Sequence, residues 1–589
     1  MSAENNITGK AFDFRLFRRI LAYVKPYRNI FAFCILFTIS LSFLGFMRPI
    51  LVMYILNHAI ATPDLPLLIQ LTLILLGVLL TETLFHFLNA YYTSWLGQHI
   101  IRDIRVQLFS HIQKLRSSYF DNTPIGMLVT RVVSDIEAIE EIFSQGFIVI
   151  AGDILTLLVF VTGMFIIDWK LSLVVLSTLP FLLVATWLFK NAVKSAFADV
   201  RTQVARLNAY VQEHITGMKI VQLFHREKKE MEGFRRINEK HRDANIRSVW
   251  HYSVFFPIVE ILSSVSIGLL AWQAGKDVFT GRIGPGEIVF FVMLVHMFFR
   301  PIRMLADRVN TLQMGMVASE RVFRVMDTKD LIRDDGKIKA DAMAGDVEFK
   351  NVRFAYNQGN DVLKGVSFRV RKGETVAIVG ATGSGKTTVI NLLNRFYEYE
   401  GGEITIDGRN IREYDLSSLR RNIGLVLQDV FLFSDSILNN ITLNSGEIGL
   451  EKVIEASKRV GAHDFIMQLP GNYDYNVMER GTMISAGQRQ LISFIRAYVF
   501  NPALLILDEA TSSIDTESEQ LIQKATQKIT EGRTSIIIAH RLATIQKADR
   551  ILVMDQGSII EQGNHQELLR LNGNYRKLFE LQFKGEAIH

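Results

Sequence analysis

The sequence predicts a polytopic α-helical membrane domain of six long transmembrane helices, followed in the same chain by an α/β domain built on buried parallel strands. Three observations carry this expectation. Apolar residues make up 49% of the 589 and charged residues 21%, against roughly 25% charged in soluble domains, and the mean hydropathy is +0.20. Long apolar stretches stop near residue 306. From about Asp346 onward, short runs that alternate as strands do take turns with helical patterns.

Composition sets further bounds. At roughly 150 residues per domain the length allows about four domains' worth of chain. The lone cysteine, Cys34, excludes an intrachain disulfide framework and a cysteine-rich metal site. Eleven prolines and the lack of biased runs exclude a collagen-like or largely disordered chain. A net charge of +6 is small for this length, so composition lends no support to a nucleic-acid partner.

Residues 1–27 are expected to form a cytoplasmic elbow. Phe12–Tyr23 interleaves Arg15, Arg18 and Arg19 with Phe14, Leu16, Phe17, Ile20 and Leu21, the pattern of a basic amphipathic helix on a membrane surface. It does not read as a secretory signal, because the apolar stretch behind it is too long and no small-residue cleavage pattern follows.

Residues 28–320 form the membrane domain, with spans near 29–56, 66–97, 144–167, 170–192, 250–274 and 284–306. Each reaches the ~20 apolar residues that a bilayer core requires. Lysine and arginine placement orients them. The N-terminal segment, the connection after span two (Arg102, Arg105, Lys114, Arg116, Arg131) and that after span four (Lys194 to Arg247) are basic, whereas the opposite connections hold only Lys170, Lys276 and Arg282. The N-terminus, both long connections and the α/β domain are therefore expected on the cytoplasmic side.

The long connections read as helical, interrupted at Tyr119–Gly126 and around Tyr210–Lys219. Helices that leave and re-enter the membrane at 1.5 Å per residue carry short tips far into the cytoplasm. Those tips are the expected coupling contacts, near Gln428 and the loop at Glu479. Glu82, His86, Asp153, Glu260 and His296 lie within the spans, where charge is costly and faces the bundle interior or water. They are candidates to line a cavity for amphipathic cations.

Residues 321–345 are expected as a linker and 346–589 as a nucleotide-binding domain. Thr375–Val379 reads as a buried strand running into Gly380-Ala381-Thr382-Gly383-Ser384-Gly385-Lys386-Thr387, then Thr388 and a helix. This is the G-x-x-x-x-G-K-[ST] pattern in its strand–loop–helix setting. Glycines let backbone N–H groups turn toward phosphate oxygens, and the helix N-terminus adds its dipole. Lys386 supplies a point charge for the β/γ phosphates, and the Thr387 hydroxyl suits Mg²⁺. A second strand, Leu504–Leu507, delivers Asp508 as a Mg²⁺ ligand and Glu509 to orient and polarise an attacking water. A third, Thr534–Ala539, ends at His540, a candidate γ-phosphate contact.

These motifs resemble a half-transporter of the ABC exporter superfamily, and the resemblance runs along essentially the whole chain. Ser485-Ala486-Gly487-Gln488 before a helix resembles the ABC signature. Gln428 after the strand Ile423–Leu427 resembles the Q-loop glutamine, Ser512-Ser513-Ile514-Asp515 the D-loop, and His540 the switch histidine. Tyr356 lies about 24 residues ahead of Gly380, where the family stacks an aromatic ring on adenine. The fold implied is an α/β P-loop NTPase domain of the ABC type.

The resemblance implies ATP and Mg²⁺ as the bound species, with Asp508, Thr387 and Gln428 on the metal and Glu509, His540 and Gln428 in catalysis. The signature would cover the γ-phosphate in trans, with Ser513 and Asp515 at the dimer seam. One such domain and six spans imply a second half-transporter chain as partner. Ile484-Ser485-Ala486-Gly487-Gln488 carries Ala486 where the family's common form has glycine, and Met478 stands at a usual glycine position of the exporter motif upstream. An altered signature beside a retained glutamate favours a heterodimer over a homodimer.

The implied function is ATP-driven export of amphipathic drugs or lipids from the cytoplasmic side or inner leaflet of a cell membrane, a bacterial inner membrane above all. Lys386, Asp508, Glu509 and His540 together disfavour a membrane-anchored, ATP-switched regulator without transport. The spans exclude a soluble ATPase acting on ribosomes or DNA. An importer is disfavoured because the membrane part precedes the ATPase, and no leader-peptide processing segment is expected.

Overall fold

The computed structural model describes residues 13–279, 281–340, 343–357, 359–508, 516–539 and 541–583. They fall into two compact units, one of Pro124–Lys329 with the chain up to Gln113, the other of Lys114–Thr123 with the chain from Asp330.

Among the described residues the first unit has six helices long and apolar enough to cross a membrane. They outrun the apolar stretches: Leu65–Ile112 is continuous over 48 residues and Glu227–Phe279 over 53. The polar ends continue because an established helix adds each residue cheaply once nucleated. The first span, Arg28–Tyr54, carries Pro49 and passes into a π-helical turn at Ile55–Ile60. The third, Phe147–Ile167, follows two further π-helical turns at Arg131–Asp135 and Ile142–Gly146. The fourth breaks between Leu176 and Leu179 before continuing to Thr216.

The helices close on small residues, as expected where lipid gives no hydrophobic drive for association. A Cβ on Gly163 would overlap the Phe46 ring at 1.9 Å, and one on Gly315 would come 2.7 Å from the Ala138 carbonyl. Phe160, Phe290, Phe291, Leu294 and Phe299 fill the centre of this unit.

The elbow helix, Phe14–Ala22, starts at Asp13, whose carboxylate accepts from the N–H of Arg15. Phe17 and Ile20 are buried inside the unit. Arg19 grips Asp327 with two hydrogen bonds of 2.7 and 2.8 Å and lies over the Phe323 ring. The elbow is thus tied to the far end of the last span's helix, Pro285–Met326, which extends into the segment expected as linker.

The second unit contains two sheets. β1 (Val347–Ala355), β2 (Asp361–Val370), β4 (Gly401–Ile406) and β5 (Arg409–Asn410) form an antiparallel sheet in the order β2-β1-β4-β5. β3 (Thr375–Val379), β6 (Ile423–Val426), β7 (Leu504–Asp508), β8 (Thr534–Ile538), β9 (Arg550–Asp555) and β10 (Ser558–Gly563) form the other, in the order β10-β9-β3-β8-β7-β6. Every pairing in this sheet is parallel except that of the edge strand β10 with β9.

Alternate residues of the same strands enter different cores. Val379, Leu507 and Ile537 pack into one cluster, while Ile378, Ile506 and Ile536 pack into the other. Burial on both faces explains why these strands read as unbroken apolar runs.

Candidate nucleotide site

The carboxyl ends of parallel strands share one edge of the sheet, where doubly wound folds bind ligands. Here β3 runs into Gly380, β6 leads to Gln428 two residues on, and β7 ends at Asp508. β8 lies between β3 and β7 and leads toward residue 540. Glu509, Ser513, Asp515 and His540 lie outside the described residues.

The loop between β3 and the helix Lys386–Leu393 is shaped by glycine. Gly383 and Gly385 adopt φ of 84° and 103°, a region that favours glycine. A Cβ on Gly380 would stand 2.2 Å from the Met554 carbonyl and 2.8 Å from Ser384 Oγ. Lys386 Nζ donates to the carbonyls of Gly380 (2.8 Å) and Ala381 (2.9 Å), bracing the loop from within. Ser384 Oγ is buried with no hydrogen-bond partner among the described residues. Ala381, Thr382, Gly383 and Thr387 are exposed at the mouth, whereas Thr388 is buried beneath. A buried, unmatched hydroxyl, a rigid cradle of backbone and a lysine suit a polyphosphate with its Mg²⁺.

Lys386 and Asp508 are both buried, and their charges oppose each other's desolvation. Burial pushes the Lys386 ammonium below its usual range while Asp508 holds it up. Burial raises the Asp508 carboxyl above its usual range, Lys386 draws it back, and Asp429 adds to the rise. A divalent cation bound here would replace the solvation that burial removes from Asp508.

Tyr356 sits just after β1. Its ring meets Tyr397 edge-on at 5.0 Å and Phe354 at 4.8 Å, and its hydroxyl lies 3.2 Å from Thr388 Oγ1. The ring is half-exposed beside the phosphate-loop helix. Tyr397, which sequence reasoning passed over, completes this platform. No local pattern marks it; only its tertiary neighbours do.

The signature residues stand at the start of the helix Ala486–Val499. Ser485 caps it, accepting from the N–H of Gln488 at 3.2 Å, while Gln488 Oε1 accepts from the N–H of Ser485 at 2.9 Å. This capping box leaves the N–H groups of Ala486 and Gly487 in the unpaired first turn. Gly487 is buried and Ala486 half-buried.

Of the two coupling tips, the first belongs to the second unit. Arg116 donates to the Leu331 carbonyl at 2.8 Å, Ser118 to Asp330 at 3.0 Å, and the Tyr397 hydroxyl donates to Asp121. It therefore meets the aromatic platform through Asp121. The second tip closes a helical hairpin, with Tyr210 Oη donating to the Glu230 carbonyl at 2.7 Å and His214 Nε2 lying 3.0 Å from the Glu230 carboxylate.

Two of the carboxylates expected to attract cations are already matched. Arg48 lies 3.8 Å from Glu82, and Arg308 pairs with Asp153. Their charge is neutralised locally, so neither stands as an uncompensated anion. Sequence reasoning missed both arginines: Arg48 is hidden inside the first apolar run, and Arg308 lies just past the last.

Residues 31–302 match the family described as ABC transporter transmembrane region, and residues 363–512 the family described as ABC transporter. The chain is 37% identical over 584 residues to the ABC transporter ATP-binding protein YknV of Bacillus subtilis, covering 99% of this chain and 97% of that one. It is 35% identical over 574 residues to an ATP-dependent lipid A-core flippase of Syntrophus aciditrophicus, covering 97% and 95%. It is 37% identical over 517 residues to the probable multidrug resistance transporter YheH of Bacillus subtilis, covering 87% and 76%. The chain belongs to the ABC transporter family, as an exporter-type half-transporter whose membrane region and ATPase share one polypeptide and whose ATP hydrolysis is coupled to transport.

Proposed function

We propose that this chain exports amphipathic drugs or lipids from the ATPase side of the membrane, working as one half of a dimer and preferably of a heterodimer. The supporting observation is the pairing of a complete phosphate cradle with an altered signature helix in one chain. In this reading the backbone of Gly380–Gly385 and Lys386 hold the β and γ phosphates, Thr387 and Thr388 lie at the start of the loop's helix, and Tyr356 stacks on the adenine. Thr387, Gln428 and Asp508 would hold Mg²⁺, which would supply charge to screen the phosphates. Glu509 aligns the attacking water, and His540 contacts the γ-phosphate. Ser485, Gly487 and Gln488 face the phosphates of the partner's site, with Ser513 and Asp515 at the seam between the two ATPases.

The altered signature favours unequal sites. The Ala486 methyl crowds a turn where glycine permits close approach, so the partner's nucleotide is held less well. Relatives named as a multidrug transporter and as a lipid A-core flippase support amphipathic cargo. The cytoplasmic placement of the elbow, the long connections and the ATPase follows from the lysine and arginine distribution. In domain terms, 1–27 is the elbow, 28–320 the membrane domain, 321–345 the linker and 346–589 the ATPase.

The test is Glu509→Gln in the complex purified from its native membrane. Loss of the base is expected to lower turnover by about 10²-fold or more while ATP binding persists. Wild-type turnover in that variant would refute the assignment. Mass spectrometry of the same preparation identifies the partner: a second, different half-transporter supports the heterodimer, and this chain alone refutes it.

A further inference from the structure

Past the apolar stretches of the fourth and sixth spans, toward the chain's long second connection and the segment leading into the α/β domain, a small cleft lies between the helices Leu179–Thr216 and Pro285–Met326. Its volume is about 60 Å³. Lys190, Lys194 and Arg201 line one wall, Asn310 and Gln313 the other, and Asp307 closes one end. Spacings of four and seven residues put the three cations on one helix face. None of them has an ion-pair partner among the described residues, whereas Asp307 accepts a hydrogen bond from Tyr252 at 3.2 Å. Three cations thus face one carboxylate that is already engaged.

The depth of this cleft is set independently. Trp187 lies one turn before Lys190 and is 62% exposed. Trp250, at the matching end of the fifth span, is 66% exposed. Tryptophans exposed at span ends mark the headgroup level of a bilayer. Before Trp187 on the same helix, Phe181 and Leu183 are exposed on the bilayer side of that level. Lys190 and Lys194 therefore lie about 5 and 11 Å of helix rise beyond the tryptophan marker, directly beneath an acyl-chain surface, with Arg201 about 21 Å beyond it at the far end of the cleft.

We propose that this cleft holds the phosphate of an anionic phospholipid from the ATPase-facing leaflet. The volume selects the ligand. Drug-sized sites need roughly 300–1,000 Å³, whereas this cleft holds about two water volumes (~30 Å³ each), enough for a headgroup phosphate with its chains left in the bilayer. Basic pockets between helices on the cytoplasmic side are the expected form of such sites. The bound phosphate would bridge the cations of the fourth span to Asn310 and Gln313 of the sixth, holding the two inner helix ends together. The inference rests on the orientation proposed above, and its test measures lipid retention, which does not depend on transport.

The purified complex is reconstituted in nanodiscs of equal parts phosphatidylglycerol and phosphatidylcholine, then stripped with detergent, and the retained lipid is counted by native mass spectrometry. Wild type should retain phosphatidylglycerol preferentially. The triple variant Lys190→Gln, Lys194→Gln, Arg201→Gln should lose that preference by tenfold or more, since each basic residue contributes about fivefold at a membrane surface. Lys190→Arg with Lys194→Arg should keep it. Unchanged ATP turnover of the triple variant in phosphatidylcholine alone checks that it is folded. Equal retention of both lipids by wild type, an undiminished preference in the triple variant, or displacement by millimolar inorganic phosphate would each overturn the proposal.

Discussion

The Tyr397 hydroxyl donates to the carboxylate of Asp121, a residue 276 positions earlier in the chain. Asp121 sits in the short helix Ser117–Asn122, between the second and third spans. The Tyr397 ring meets Tyr356, the proposed adenine platform, edge-on at 5.0 Å. One aromatic residue thus touches both a connection between spans and the place where the base is expected to stack.

A hydrogen bond to a charged group contributes about 1.5 kcal/mol, enough to bias a conformational step without dominating nucleotide affinity. Tyr397→Phe keeps the ring and removes the bond. It is expected to lower cargo-stimulated ATPase several-fold while ATP affinity stays within about twofold, as read by stimulation curves and nucleotide titration. A parallel loss of ATP affinity would show that the contact serves the base alone. Gly126→Val, in the same connection, meets open space and should have little steric effect.

Met478 adopts φ 58° and ψ −173° and is half-exposed. That backbone region is open almost only to glycine, and holding another residue there costs on the order of 1–3 kcal/mol. Little packing opposes the change, so Met478→Gly is expected to stabilise the second unit by about 1 kcal/mol after glycine's own entropic cost. Thermal unfolding should shift upward by about 2–4 °C. A lower transition temperature would mean that the methionine side chain, and not the backbone, sets the energy here.

His214 and Glu230 latch the hairpin at the second tip, where a Cβ on Gly233 would come 2.5 Å from the Tyr210 hydroxyl. The Tyr210 carbonyl and Glu230 raise the His214 pKa above its ordinary 6.5. His214 and the Tyr210 hydroxyl hold Glu230 below its ordinary 4.5. The histidine's contribution is complete below 6.5 and fades as pH rises through its raised value. The glutamate's is complete above 4.5 and fades as pH falls through its lowered value. The hairpin should therefore be most resistant to cleavage near Gly217 between about pH 4.5 and 6.5, and looser at pH 8. Limited proteolysis across that range should show this in wild type and a flat response in His214→Gln. An equal pH response in the variant would assign it to other groups.

What the sequence makes legible is what local chemistry dictates. The bilayer demands apolar runs, so the six spans can be read directly, yet the helix from Glu227 starts well before the apolar run near 250 because its polar turns need no lipid. The phosphate loop is contiguous, so its pattern marks it within a few residues, although Gly380 also answers to the distant Met554 carbonyl. Asp508 and Gln428 follow from strand ends that the apolar runs mark. Tyr397, Arg48 and Arg308 were not legible, because each acts through a partner distant in the chain. That Glu82 and Asp153 are paired was hidden for the same reason: their matching arginines lie on other helices.

The most direct test of coupled export places the complex in proteoliposomes with its ATPase facing outward and follows a fluorescent amphipathic cation or a labelled phospholipid. Wild type with ATP and Mg²⁺ should move the cargo into the lumen or the inner leaflet, and Glu509→Gln should bind ATP but move none. Steady ATP hydrolysis by wild type with no ATP-dependent movement of any amphipathic cargo would contradict the account.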